Sequence, residues 1–208
     1  MATRPSAAEL ALREIRGAIA SGEITGGSMV SENELAARIG VSRTPVRAAL
    51  ARLQDEGWVT IFPRRGALVR EIGPEEERHI ADARHAVEYG SVRTLGDAER
   101  ADLAERLTGL ADLETQRLAE GDLDGFVDVD INFHRSLVVA GANPVLLDLY
   151  DRLRGRQAQV VARRAATKTV AQRLLDDHRS FIDLIARGRI DELDGALLTH
   201  LRASAPRA

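Results

Sequence analysis

Residues 40–58, GVSRTPVRAALARLQDEGW, decide how the N-terminal third of this chain is read. Val46, Ala49, Leu50 and Leu53 recur at helical spacing and form one apolar stripe, while Ser42, Arg43, Thr44 and Arg47 fall outside it. Ser42 or Thr44 can cap this helix. Pro45 costs little in a first turn whose N–H groups have no intrahelical acceptor, and Gly57 ends the pattern. Just upstream, Ser31 followed three residues later by Glu34 is a capping-box start for a short helix, with Leu35, Ala36 and Ile39 as its apolar positions and Gly40 as its stop. A short helix, a glycine turn and a second helix opening with small polar and basic residues make the helix-turn-helix layout. Its second helix enters the DNA major groove N-terminus first. Arg43 and Arg47, four residues apart, project on one side, where an arginine can read guanine bidentately; the hydroxyls of Ser42 and Thr44 suit phosphates. A helical hairpin with a solvated arginine face has the same spacing, and spacing alone leaves both readings open.

Outward from this segment, Leu10, Ile15, Ala18 and Ile19 predict a first helix from about Ser6 to Ala20. Beyond it, the period changes from helical to strand-like between Trp58 and Val69, where WVTIF and ALVRE flank Pro63-Arg64-Arg65-Gly66. This predicts a hairpin, or wing, whose tip residues Arg64, Arg65 and Gly66 can reach an adjacent minor groove. Gly73-Pro74 breaks the chain, and only helical patterns follow, at roughly 75–96, 99–119, 122–140, 144–164, 168–187 and 190–203. The expected architecture is mainly α: a winged helix-turn-helix domain over 1–73, and an all-helical bundle of about six helices over 74–208.

Charge divides along the same line. Of 208 residues, 29 are basic and 32 acidic. Residues 1–73 hold ten arginines against eight acidic side chains, leaving 19 basic against 24 acidic in the remainder. Within 42–70, six arginines face only Asp55 and Glu56, which suits a phosphate-facing surface. Aromatic content of 3% disfavours single-strand binding by base stacking, so duplex DNA is the better nucleic-acid candidate. The chain has no cysteine, hence no disulfide framework or thiolate metal site, and no apolar run of membrane-spanning length. A cytoplasmic protein without a membrane partner is expected.

Three of the five histidines lie on apolar helix faces. His134 shares a stripe with Val127, Ile131, Leu137 and Val138; His178 with Leu174, Leu175, Ile182 and Ile185; His200 with Leu193, Ala196 and Leu197. A buried imidazole without a partner is costly, so three on different helices of one bundle suggest mutual satisfaction at a common site. Asp130 lies on the face of His134, four residues before it. Asp130, His134, His178 and His200 then offer one carboxylate and three imidazoles, a first shell suited to Zn²⁺, with Ni²⁺ or Mn²⁺ as other divalent candidates. The plainer reading is a set of core histidines, each bonded to a backbone or carboxylate oxygen.

Residues 15–72 resemble, nearly end to end, the DNA-binding domain of the GntR family of bacterial transcription regulators. The resemblance implies base or phosphate contact by Ser42, Arg43, Thr44, Arg47 and the wing Gly66, with Arg64 and Arg65 assisting. Three positions depart from it: Gly26 stands where the family often has Pro, Ala48 where it often has Glu, and Asn33 where some members carry a DNA-contacting Arg. Asp130-Ile131-Asn132-Phe133-His134, the DDH ending at His178 and the THL containing His200 resemble the all-helical FCD ligand-binding domain of the FadR-type branch, over roughly residues 75–203. This implies a divalent ion on those four side chains and a small carboxylate effector beside it. Arg84 matches a position that could supply a counter-charge, against the alternative of a salt bridge to Glu88 at i+4. Asn143 before Pro144 is read more simply as a helix N-cap than as a family signature. The combined expectation is a homodimeric regulator, a repressor in the first instance and not an enzyme, whose grip on a pseudo-palindromic operator responds to an organic acid. A regulator answering to metal alone, or a helical metalloenzyme, are the alternatives.

Overall fold

The computed structural model describes residues 6–165 and 167–203. The chain forms two compact units, Met1–Ile72 and Gly73–Ala208.

The first unit contains α1 (Ala7–Ala20), β1 (Met29–Val30), α2 (Glu32–Ile39), α3 (Arg43–Asp55), β2 (Val59–Phe62) and β3 (Gly66–Val69). Capping boxes open α1 and α2: the Ser6 hydroxyl accepts from the Glu9 N–H, and that of Ser31 from the Glu34 N–H, with each glutamate reaching back. Gly40 closes α2 in the left-handed conformation, setting the tight turn into α3. Ser42 holds the N-cap position of α3 but makes no side-chain capping bond, leaving its hydroxyl exposed. Val46, Ala49, Leu50 and Leu53 are buried as the apolar stripe requires, and α3 packs on α1 and α2 around Ile15, Leu35 and Trp58. Burial of this stripe is what holds so short a helix together.

The predicted hairpin is part of a three-stranded antiparallel sheet of order β1-β3-β2. Phe62 pairs with Gly66 across the tip, and Met29 and Val30 pair with Leu68 and Ala67. The two-residue β1 has no period to read in sequence; it exists because β3 offers a free edge.

The second unit comprises α4 (Pro74–Val92), α5 (Asp97–Glu120), α6 (Leu123–Ala140), α7 (Pro144–Asp151), α8 (Arg154–Arg164), α9 (Lys168–Ala186) and α10 (Ile190–Arg202). Among the described residues these are seven helices where about six were expected, because the run predicted over 144–164 divides. Leu153 N–H donates to Tyr150 O rather than to a residue four back, so one tightened turn interrupts the ladder beside Gly155, a weak helix former. Asn143 caps α7 through its side chain, accepting from Val145 and Leu146 N–H at 3.0 and 3.2 Å. α5 packs on α6 and α9, and α10 on α4 and α9. Leu107, Phe133, Leu137, Phe181, Ile185, Leu193 and Leu197 fill the core between them. No helix among the described residues is long and apolar enough to cross a membrane.

Candidate functional site

On the first unit, α2, the start of α3 and the tip of the sheet line one open concavity whose walls include Glu32, Arg43, Arg47, Arg64, Arg65 and Gly66. Ser42, Arg43, Thr44, Arg47, Arg64 and Arg65 are exposed and Gly66 is half-buried. Arg43 and Arg47 of the helix and Arg64, Arg65 and Gly66 of the wing therefore share one surface, while Ser42 and Thr44 lie outside its lining. Glu32 was not anticipated there. Its carboxylate accepts from Arg47 Nε at 2.7 and 2.8 Å and from Arg43 Nη2 at 3.1 Å, tying the two arginines together. Partial burial works against the Glu32 charge, but the two guanidiniums outweigh it and hold the carboxyl below its ordinary range. Sequence carried a faint signal for this: Glu32 is the first residue of a helix whose C-terminal turn leads directly into α3.

Gly66 has a second reason to be glycine. Its φ is 108°, and a Cβ there would stand 2.3 Å from Val30 O on the neighbouring strand.

In the second unit, α6 brings Asp130 and His134, α9 brings His178 and α10 brings His200 to one place. One ligand atom from each of the four lies within 4.8 Å of the other three, and all four residues are buried. Each imidazole turns Nδ1 to a carboxylate: His134 to Glu88 at 2.7 Å, His178 to Glu114 at 2.9 Å, His200 to Asp177 at 2.9 Å. Such bonds set the tautomer by placing the ring proton on Nδ1, which leaves an Nε2 lone pair on each ring. These lone pairs converge. His134 Nε2 is 3.2 Å from both His178 Nε2 and His200 Nε2, and Asp130 Oδ1 is 3.7 Å from His178 Nε2. Asp130 Oδ2 is buried without a hydrogen-bond partner.

Lone pairs facing each other across 3.2 Å repel, and an unanswered buried carboxylate oxygen is costly. A divalent cation removes both penalties. Nitrogens each about 2.1 Å from one ion are separated by roughly 3–3.5 Å, so the spacing suits ligation as it stands. The electrostatics agree for two of the rings: burial lowers His134 well below the ordinary histidine value and His200 to about 4, which keeps them neutral as ligands must be. At His178 burial pulls the same way, but Glu114 and then Asp130 outweigh it and raise the pKa, so an ion competes with a proton there. Burial pushes the Asp130 carboxyl up to about 6.

The carboxylates behind the imidazoles were missed by sequence reading, apart from Glu88 as the alternative partner of Arg84. That pairing is present: Arg84 Nε donates to Glu88 Oε1 at 2.9 Å, both groups fully buried. Burial opposes the Arg84 charge, yet Glu88 more than offsets it and the guanidinium stays firmly protonated. The Tyr150 hydroxyl donates to the same Glu88 oxygen at 2.5 Å. Glu114 left a legible trace, as an acidic residue in the apolar stripe Leu107, Ala111, Leu118 of α5. Asp177 stands beside His178 in sequence but serves His200.

Residues 7–69 match the family model of bacterial regulatory proteins of the gntR family, and residues 79–203 match the FCD domain. An HTH-type transcriptional regulator in an unstable DNA locus of Streptomyces ambofaciens is 33% identical over 183 residues, covering 87% of this chain and 76% of its own. The gluconate operon transcriptional repressor of Bacillus licheniformis is 30% identical over 177 residues, covering 83% and 72%. A solved GntR regulator from Rhodococcus shares the fold with a TM-score of 0.67 at 24% identity, covering 95% of this chain and 94% of that one. A winged helix-turn-helix ahead of a helical domain with a buried histidine cluster fits both matches, and the chain belongs to the GntR family of bacterial DNA-binding transcription regulators, with an FCD domain at its C-terminal side.

Proposed function

We propose that the chain is a repressor whose operator binding is set by a small carboxylate effector bound beside a divalent ion in the helical unit. The observation that carries this reading is the convergence of three imidazole Nε2 atoms on Asp130, each imidazole backed by its own carboxylate. Asp130, His134, His178 and His200 would hold the ion. Zn²⁺ suits three imidazoles and one carboxylate best, with Ni²⁺ or Mn²⁺ as further candidates. These residues would hold a Lewis acid able to take a carboxylate oxygen. Arg84, already committed to Glu88, adds positive potential to the same interior and acts as the effector's counter-charge. The repressor names of curated relatives support the direction of control.

On DNA, Arg43 and Arg47 read base edges, Ser42 and Thr44 bond phosphates, and Arg64, Arg65 and Gly66 engage the minor groove at the wing. The regulator acts as a homodimer on a pseudo-palindromic site, and the effector shifts the population of DNA-competent arrangements by binding them unequally.

The test uses a duplex selected by the protein from a random library. Arg43→Ala or Arg47→Ala lowers affinity about 10- to 100-fold at fixed salt. Wild-type binding by both variants sinks the recognition assignment. Titrating Zn²⁺ and organic acids separately against the same duplex then decides the input: a response to metal alone makes the ion itself the signal.

A further inference from the structure

Phe62 ends β2 with its side chain 39% exposed, on the sheet face opposite the buried Val59, Ala67 and Val69. A single exposed aromatic calls for no explanation by itself. This one lines the concavity that also holds Arg43, Arg47, Arg64 and Arg65, with Pro63 beside it. The residues that follow make a tight turn: Arg65 N–H donates to the Phe62 carbonyl at 3.0 Å, with Pro63 and Arg64 between them. Arg64 has a φ of 64°, left-handed, in the third place of the turn, where glycine or asparagine is the unstrained choice. An arginine held there keeps a cation at the tip at a cost in backbone energy.

The free protein therefore carries two costs at one turn, an aromatic ring in water and an arginine where the backbone favours glycine. A partner that is anionic and apolar within a few ångströms offsets both. The strands of duplex DNA have that composition, since phosphates alternate with deoxyribose rings whose carbon faces are apolar. Base edges suit the ring less well. A phenyl group has no donor or acceptor to match their pattern, and the thymine methyl, the apolar group among them, lies in the major groove and not at the wing.

We propose that the wing tip clamps one sugar–phosphate strand, with Phe62 packed on a deoxyribose face and Arg64 on a neighbouring phosphate, and so adds affinity without sequence preference. This rests on the DNA-recognition reading above and is independent of the ion and the effector.

The experiment is equilibrium binding of the full-length protein to the selected duplex and to random duplex across a salt series. Phe62→Ser is expected to weaken both about tenfold, leaving their ratio and the dependence of log affinity on log salt as in wild type. Phe62→Leu, which keeps an apolar side chain, retains most of the affinity. Arg64→Gly lowers the salt slope by about 1 for each wing engaged and melts no lower than wild type, because glycine relaxes the turn. Met29 is the control: it is 46% exposed on the same sheet face by register but lies outside the lining of the concavity, and Met29→Ser leaves binding unchanged. Undiminished binding by Phe62→Ser overturns the inference, as does a changed ratio, which would put the ring on a base. An unchanged salt slope in Arg64→Gly removes the phosphate contact and overturns it as well. Equal weakening by Met29→Ser, or an altered oligomeric state of Phe62→Ser in sedimentation, overturns it by giving the whole sheet face to another surface. So does a lower melting temperature of Phe62→Ser, which would make the ring a packing contact. If Arg43→Ala and Arg47→Ala also bind both duplexes as wild type does, the recognition reading fails and this inference with it.

Discussion

Gly66 and Glu114 are both explained by neighbours distant in sequence. At Gly66 the left-handed backbone and the Val30 carbonyl together forbid a side chain. Gly66→Ala is expected to destabilise the first unit by about 2–3 kcal/mol, from backbone strain plus displacement of β1; an unchanged melting temperature would refute the packing argument. Glu114 accepts a hydrogen bond from His178 Nδ1–H inside the bundle and holds the ring with Nε2 facing Asp130. Glu114→Gln keeps an acceptor but loses the charge that makes the imidazole a better ligand. Zinc affinity should fall about 10- to 100-fold with the helical content preserved. Competition titration against a chromophoric chelator measures it.

Between elements, the most consequential link is α2 to α3 through Glu32. A carboxylate on a phosphate-facing surface repels DNA, yet it also restrains Arg43 and Arg47, which otherwise sample many rotamers. Glu32→Ala is therefore expected to strengthen binding to random duplex while narrowing the ratio of operator to random affinity. A ratio that holds or widens would mean the carboxylate does not aim the arginines. Several element starts were legible: Ser31 with Glu34, Asn143 before Pro144, Gly40 at the turn. Those signals act within one turn of backbone. The division of 144–164 was not legible, since Arg152 and Leu153 stay close to helical dihedrals and one hydrogen bond shifts register.

At the scale of the molecule, the two units differ in how they are held. The first relies on an apolar core around Trp58, Leu53 and Ile15, whereas the second places Glu88, Glu114, Asp130 and three histidines inside its bundle. Burying so many ionisable groups is tolerable only when all are answered. Calorimetry after exhaustive chelation should lower the melting transition of the second unit and leave that of the first within a degree or two. At a thousandfold excess of ion over Kd the stabilisation lost is about 4 kcal/mol. A chelator-insensitive second transition would argue for a histidine core needing no ion. The sequence by itself determined the helical stripes, the helix-turn-helix, the strand period of the wing and the four donors, because each depends on residue type and short-range spacing. Tertiary structure decided which carboxylate stands behind each imidazole, which strand closes on Gly66 and which glutamate holds Arg43 and Arg47. These are contacts between helices and strands distant in sequence: a stripe can mark Glu114 as facing inward, but only packing decides which imidazole it meets.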